Sequence, residues 1–222
     1  MSKPSLSGRA KGYGMKPDRF REECLRLARP RLNLRRRQGV GDVVGIWSGW
    51  GCIPHPPGAW EHRITVSCDW LRRNDFPLSG LLGVYENPDY RSFRERFIAV
   101  QADEPGVALH GNGGIELVGT EDVALPPVEA LEVYGNEEMR NLLHSPDQTA
   151  LLDAYEERCP LHYADREGIY AMLGGWHVPW PENDAYDDEP GRLVLWTFKD
   201  SEPWLEVWQR PSGQLEVIPR IT

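Results

Sequence analysis

Arg192-Leu193-Val194-Leu195-Trp196-Thr197-Phe198 and Trp204-Leu205-Glu206-Val207-Trp208-Gln209 flank the short segment Lys199-Asp200-Ser201-Glu202, and their reading decides the fold. In the first run Val194, Trp196 and Phe198 share one face and Leu193 and Leu195 the other. Both faces are therefore apolar, as in a central strand covered on both sides. In the second run Trp204, Glu206 and Trp208 share a face opposite Leu205 and Val207, which makes Trp196 a core residue and leaves Trp204 and Trp208 partly covered. The two runs form a hairpin, and Leu215–Ile218 follows as a further strand across Pro211-Ser212-Gly213.

Working toward the N-terminus, His62–Trp70 alternates most clearly, with His62, Ile64, Val66, Cys68 and Trp70 on one face. Val43–Trp47, Leu81–Tyr85, Phe97–Gln101 and Val128–Tyr134 are further predicted strands. Val107–His110 and Ile115–Val118 flank Gly111-Asn112-Gly113-Gly114, whose Asn-Gly suits a two-residue type I′ hairpin turn. Helical spacing is confined to three places. Pro17-Asp18 opens a helix with Phe20, Cys24, Leu27 and Ala28 on one side and Arg19–Glu23 and Glu22–Arg26 as i,i+4 pairs. Asn136 caps a second, with Met139, Leu142 and Leu143 inward, and Ser145-Pro146-Asp147-Gln148 starts a third carrying Leu151, Leu152, Tyr155 and Cys159. The expectation is an α+β fold: a mainly antiparallel twisted sheet, two or three short helices packed on one side, and a basic N-terminal arm before it.

The organisation expected is a disordered leader over 1–16, a basic amphipathic helix and strap over 17–37, and a single α+β domain over 38–222. Apolar residues make up 40% and charged residues 27%, an ordinary globular balance that excludes wholesale disorder. The net charge of -9 conceals an asymmetry: residues 1–37 hold twelve Lys/Arg against three acids, and the rest thirteen against thirty-one. A body of -18 repels nucleic acid and attracts basic surfaces. Arg29, Arg31, Arg35, Arg36 and Arg37 are the residues that would neutralise phosphates, but no aromatic interleaves with them. No run of eighteen apolar residues exists to form a spanning helix, and residues 1–16 lack the apolar core of a secretory signal. The expected compartment is the cytoplasm, with Cys24, Cys68 and Cys159 as small core residues.

Motifs for chemistry are sparse. Cys52, His55, His62 and Cys68 have the residue types of a zinc site, but a strand holding both His62 and Cys68 separates them by roughly 20 Å, so no metal is expected. No cofactor motif occurs, and no serine sits in a G-x-S-x-G elbow. Cys52, three residues from His55, is the one thiol worth testing for reactivity.

What stands out is Trp176-His177-Val178-Pro179-Trp180 followed by Pro181–Pro190, where Glu182, Asp184, Asp187, Asp188 and Glu189 put five carboxylates into ten residues. Aromatic rings beside dense negative charge suit a basic protein partner, because charge steers the encounter and a buried Trp anchors it. The expected function is a non-enzymatic binding protein of immunity type, with Trp176, His177, Trp180 and those five acids as its partner-binding residues. The alternatives are a small hydrolase or modifying enzyme with a pocket near His177 and the acidic loop, and a structural or assembly component.

Overall fold

The computed structural model describes residues 17–50, 53–54, 57–92, 95–103, 109, 113–144, 155, 168–176, 191–198 and 203–220. Along the chain run α1 (Pro17–Arg26), β1 (Arg29–Arg36), β2 (Gly45–Trp47), β3 (Glu61–Ser67), α2 (Asp69–Arg73), β4 (Leu81–Glu86) and β5 (Phe97–Ala102). After them come β6 (Ile115–Ala124), α3 (Val128–Tyr134), α4 (Glu137–Leu143), β7 (Ile169–Gly174), β8 (Arg192–Thr197), β9 (Trp204–Gln209) and β10 (Leu215–Arg220).

The ten strands make one sheet in the order β10-β9-β8-β7-β1-β6-β2-β3-β4-β5, and every pairing is antiparallel. Its end strands β5 and β10 come together without a ladder between them, so the sheet curls into a near-closed barrel. This overturns the expectation of an α+β sheet with helices along one side and a basic arm before it. A curled sheet packs its concave face against itself, so it needs no helical layer to bury that face.

Cross-strand partners show how the interior is built. Leu32 on β1 lies opposite Leu173, Leu173 opposite Leu195, Leu195 opposite Val207 and Val207 opposite Val217. In the other half Leu117, Gly45, Val66 and Leu82 follow one another across β6, β2, β3 and β4. The apolar members of both belts belong to one buried cluster.

The run read as a basic strap is β1, a central strand between β6 and β7. Arg31 and Asn33 alternate with Leu32 and Leu34, so the leucines point into the barrel while Arg31 donates to Asp122 on β6, and Asn33 Nδ2 donates to the same carboxylate at 3.2 Å. Burial, the largest single influence, pushes the Asp122 carboxyl up, but the Arg31 guanidinium, the Val123 amide and the Asn33 amide together outweigh it and hold the pKa below the usual carboxylate value.

The outer face of β7, β8 and β9 is buried as well. Met172, Trp196 and Glu206 are successive cross-strand partners, and Met172, Trp196, Trp208, Leu193 and Trp176 share a second cluster with Ala130 of α3. A bulge at Val194 places Leu193 on this face with Trp196, which a strict alternation cannot do. Trp208 is fully buried and Trp204 half-buried, so only the second fits the partial cover expected of both.

Three further expectations need correction. The strand predicted to run to Trp70 ends at Ser67, whose Oγ accepts from the Asp69 amide at 3.2 Å, and the chain turns into α2. Cys68 and Trp70 are buried through that turn, so their apolar character mimics continued alternation. Val128–Tyr134 is helix, with Ala130 and Leu131 buried and Glu129 and Glu132 exposed, as good helix formers on an amphipathic turn behave. On α1, Glu23 pairs with Arg26 at 2.7 Å and accepts from the Asn136 amide at 2.9 Å, while Arg19 pairs with Glu138 at 3.1 Å, in place of the two i,i+4 pairs expected. The cap on α4 is as predicted: Asn136 Oδ1 accepts from the Met139 amide at 2.8 Å.

Candidate functional site

The predicted Trp176 sits just beyond β7, where Gly174 and Gly175 adopt φ of 65° and 85° and turn the chain across the sheet. A side chain at these angles is strained, so glycines permit the turn. The indole is 2% exposed, its Nε1 donates to the Leu27 carbonyl at 3.1 Å, and the Arg29 guanidinium lies 3.3 Å from its ring centroid. Tyr134 covers it further, with ring centroids 5.6 Å apart. Trp176 thus faces inward and ties the end of β7 to α1 and α3. The other predicted partner-binding residues, His177, Trp180, Glu182, Asp184, Asp187, Asp188 and Glu189, lie outside the described residues. So do Cys52 and His55, the hairpin turn at Asn112, and the predicted helix start at Ser145.

A second tryptophan has the opposite fate. β2 ends at Trp47, after which Ser48 takes φ 60° and Gly49 φ 74°. The Ser48 amide donates to the Arg63 carbonyl at 2.8 Å, and a β-carbon on Gly49 would stand 2.5 Å from the Gly114 nitrogen. This turn directs Trp50 away from the barrel, and its side chain is 80% exposed.

Trp50 borders an open cleft of about 450 Å³, lined also by Ser48, Gly49, Trp60, Glu61, His62 and Tyr85. β3 supplies one wall: Glu61 is exposed, and the half-buried Trp60 just before the strand packs on Tyr90 with centroids 5.7 Å apart. Tyr85 on β4 is fully buried and donates its hydroxyl to the Ile53 carbonyl at 2.7 Å.

His62 at the floor has both ring nitrogens engaged. Nδ1 lies 2.9 Å from the Ser48 carbonyl, which can only accept, so Nδ1 carries the proton. Nε2 then accepts the Thr65 hydroxyl at 2.8 Å. Burial lowers the imidazole pKa, against smaller contributions from the carbonyls around it. A neutral ring with no vacant nitrogen holds the loop and is not poised as a general base. Among the described residues the cleft offers aromatic faces and one carboxylate for binding, and no activated nucleophile.

A smaller hollow of about 350 Å³ lies between Arg29, Phe76, Tyr134 and Arg192. Arg192 stacks on Phe76 at 3.8 Å and donates to the Asp75 and Asn74 carbonyls at 2.5 and 3.2 Å. Among the described residues no three His, Cys, Asp or Glu side chains group as metal ligands, and burial pushes the Cys68 thiol up to about 12.

Sequence reasoning passed over Trp50, Trp60 and Glu61. One signal was available: Gly49-Trp50 repeats the Gly175-Trp176 pattern, a tryptophan released from regular structure by glycine. No protein-family model matches the chain, and no curated protein is similar to it at a significant level. The fold and cleft therefore define it only as an antiparallel near-barrel with an aromatic, acid-bearing recess at one end of β2 and β3.

Proposed function

We propose that the protein is a non-enzymatic binding protein that docks a basic protein partner, in the manner of a toxin-neutralising immunity-type protein. The observation that carries this reading is that early arginines are paired with acids on the outer side of the sheet. Arg31 is 4% exposed against Asp122, and Arg37 pairs with Glu116 at 2.8 Å. Arg31 and Arg37 are thus matched by acids on the neighbouring β6, which supports a surface field set by the acidic excess of residues 38–222. Glu182, Asp184, Asp187, Asp188 and Glu189, with His177 and Trp180 before them, would form the charged part of the docking surface.

A labelled nona-arginine peptide is the probe. At roughly 50 mM salt the combined variant Asp187→Ala, Asp188→Ala, Glu189→Ala should bind it several-fold more weakly than wild type, and the gap should shrink by about 200 mM as screening grows. Equal affinity of the two proteins at low salt would remove the acidic loop from the docking surface.

A further inference from the structure

We propose that the cleft beside Trp50 is a receptor for one arginine side chain of the partner, held between the Trp50 and Trp60 rings with Glu61 as its counter-ion. The inference rests on the reading of the protein as docking a basic partner and names the contact that would anchor it.

Exposure points to the place. Among the described residues the large exposed apolar side chains are Leu25, Val40, Trp50, Tyr90 and Val123. Trp50 lines the cleft, and Tyr90 packs on Trp60, another of its lining residues. Tryptophan is highly buried on average, and an exposed one beside a recess is the residue type most enriched at binding hot spots. The Ser48–Gly49 turn is fixed by the Arg63 carbonyl, the His62 ring and the close approach of Gly114, so Trp50 leaves from an anchored point.

Charge points to the ligand. Glu61 and Glu86 are cross-strand partners on β3 and β4. Glu86 is buried and neutralised by Arg63 at 2.8 Å and by Arg96. Glu61 is exposed and has no ion pair among the described residues, so one negative charge of the pair is left facing the cleft. His62 contributes no competing cation, because its nitrogens are taken by Ser48 and Thr65.

A planar guanidinium fits this setting better than a neutral or anionic group. It stacks on indole faces while its edge donates to a carboxylate. The protein already uses that packing internally, with Arg29 at 3.3 Å over Trp176 and Arg192 at 3.8 Å over Phe76.

The test uses N-acetyl-arginine methylamide, with N-acetyl-citrulline methylamide as its neutral isostere, titrated into the full-length protein while the Trp50 and Trp60 indole N–H resonances are followed. The arginine amide should shift both resonances saturably, and the citrulline amide should bind at least about tenfold more weakly. Trp50→Ala and Glu61→Gln, both at exposed positions that leave the barrel intact, should each weaken arginine binding by roughly 2- to 30-fold. Equal binding of citrulline, or arginine binding that leaves both indole signals unmoved, overturns the proposal. The nona-arginine peptide separates this failure from failure of the broader reading. If Trp50→Ala and Glu61→Gln bind it like wild type while the acidic-loop variant does not, the docking reading stands and the cleft is not its receptor. If the arginine amide saturates the cleft but the acidic-loop variant binds nona-arginine normally, the cleft stands and the loop does not.

Discussion

Replacing Arg220 with methionine should be among the most damaging single changes on the outer face of the barrel. Glu206 on β9 has no exposed surface. The β9–β10 register sets Ile218 opposite Glu206 and Arg220 opposite Trp204, which makes Arg220 the diagonal neighbour of the carboxylate. Its Nε and Nη2 donate to Glu206 Oε2 at 3.2 and 3.0 Å, and Trp208 Nε1 donates to the same oxygen at 3.0 Å. Oε1 accepts no hydrogen bond from the described residues, so the guanidinium is the main source of compensation for a buried charge. Removing one partner of such a pair costs about 3–5 kcal/mol. At about 2–4 °C per kcal/mol for a chain of this size, the melting temperature should fall by roughly 6–20 °C. Glu206→Gln keeps the shape and loses charge-assisted bonding, a smaller loss of about 1.5–3 kcal/mol. The double variant Glu206→Leu with Arg220→Met removes both charges and should lie within about 2 kcal/mol of wild type, well short of the sum of its parts. Urea denaturation followed by tryptophan fluorescence and far-ultraviolet circular dichroism measures all three, provided the slopes agree. A loss under about 1 kcal/mol for Arg220→Met, or strict additivity in the double variant, would refute the reasoning.

Three other outcomes are expected. Burial depresses the His62 pKa, so the unfolded chain takes up that proton first, and His62 should lower stability as pH falls through about 6.5, levelling off once the folded ring also protonates. The wild-type stability minus that of His62→Gln should therefore decline across this window, and a flat difference would contradict it. Cys68, with its thiol pushed up to about 12, should resist iodoacetamide at neutral pH until the protein unfolds; mass mapping that finds it alkylated in the native state would count against its burial. Trp176→Phe should lose about 0.5–1.5 kcal/mol with the Leu27 hydrogen bond, and Trp176→Ala about 3–5 kcal/mol by chemical denaturation. A near-neutral alanine variant would mean that the ring does not pack as described.

Much of the sheet was legible where a strand pairs with the next one in sequence. β8 with β9 and β9 with β10 follow directly from alternation and turns, and β4 and β5 were placed to within a residue. What escaped notice were β1 and β7, the strands that join the two halves in the order β7-β1-β6. Arginines and Pro30 disguise the alternation of β1, because its outward polar side chains are buried only through partners such as Asp122, a residue 91 positions away. β7, Ile169–Gly174, is a short continuous apolar run, which periodicity does not separate from other buried structure. Without these two, hairpins imply a sheet but not its closure. The cleft suffered in the same way: Trp60 and Glu61 gain meaning only when β3 brings them beside the turn at Ser48, a pairing set by long-range register.

By itself the sequence determined the antiparallel character, the Asn136 cap, the presence of a helix opening at Pro17, though not its end at Arg26, and the acidic balance of the chain, since each rests on neighbours along the chain or on composition. Tertiary structure alone decided what the tryptophans do. Gly49-Trp50 and Gly175-Trp176 are locally alike, yet Trp50 is 80% exposed and Trp176 2%. Trp176 leaves β7 toward the Leu27 carbonyl, the Arg29 guanidinium and the Tyr134 ring, which offer a hydrogen-bond acceptor and two faces to stack on. Trp50 leaves β2 at the rim of the barrel, where it borders an open cleft with Glu61 and is exposed to solvent. Burial is a property of what stands opposite a side chain, and that is settled by which strands pair.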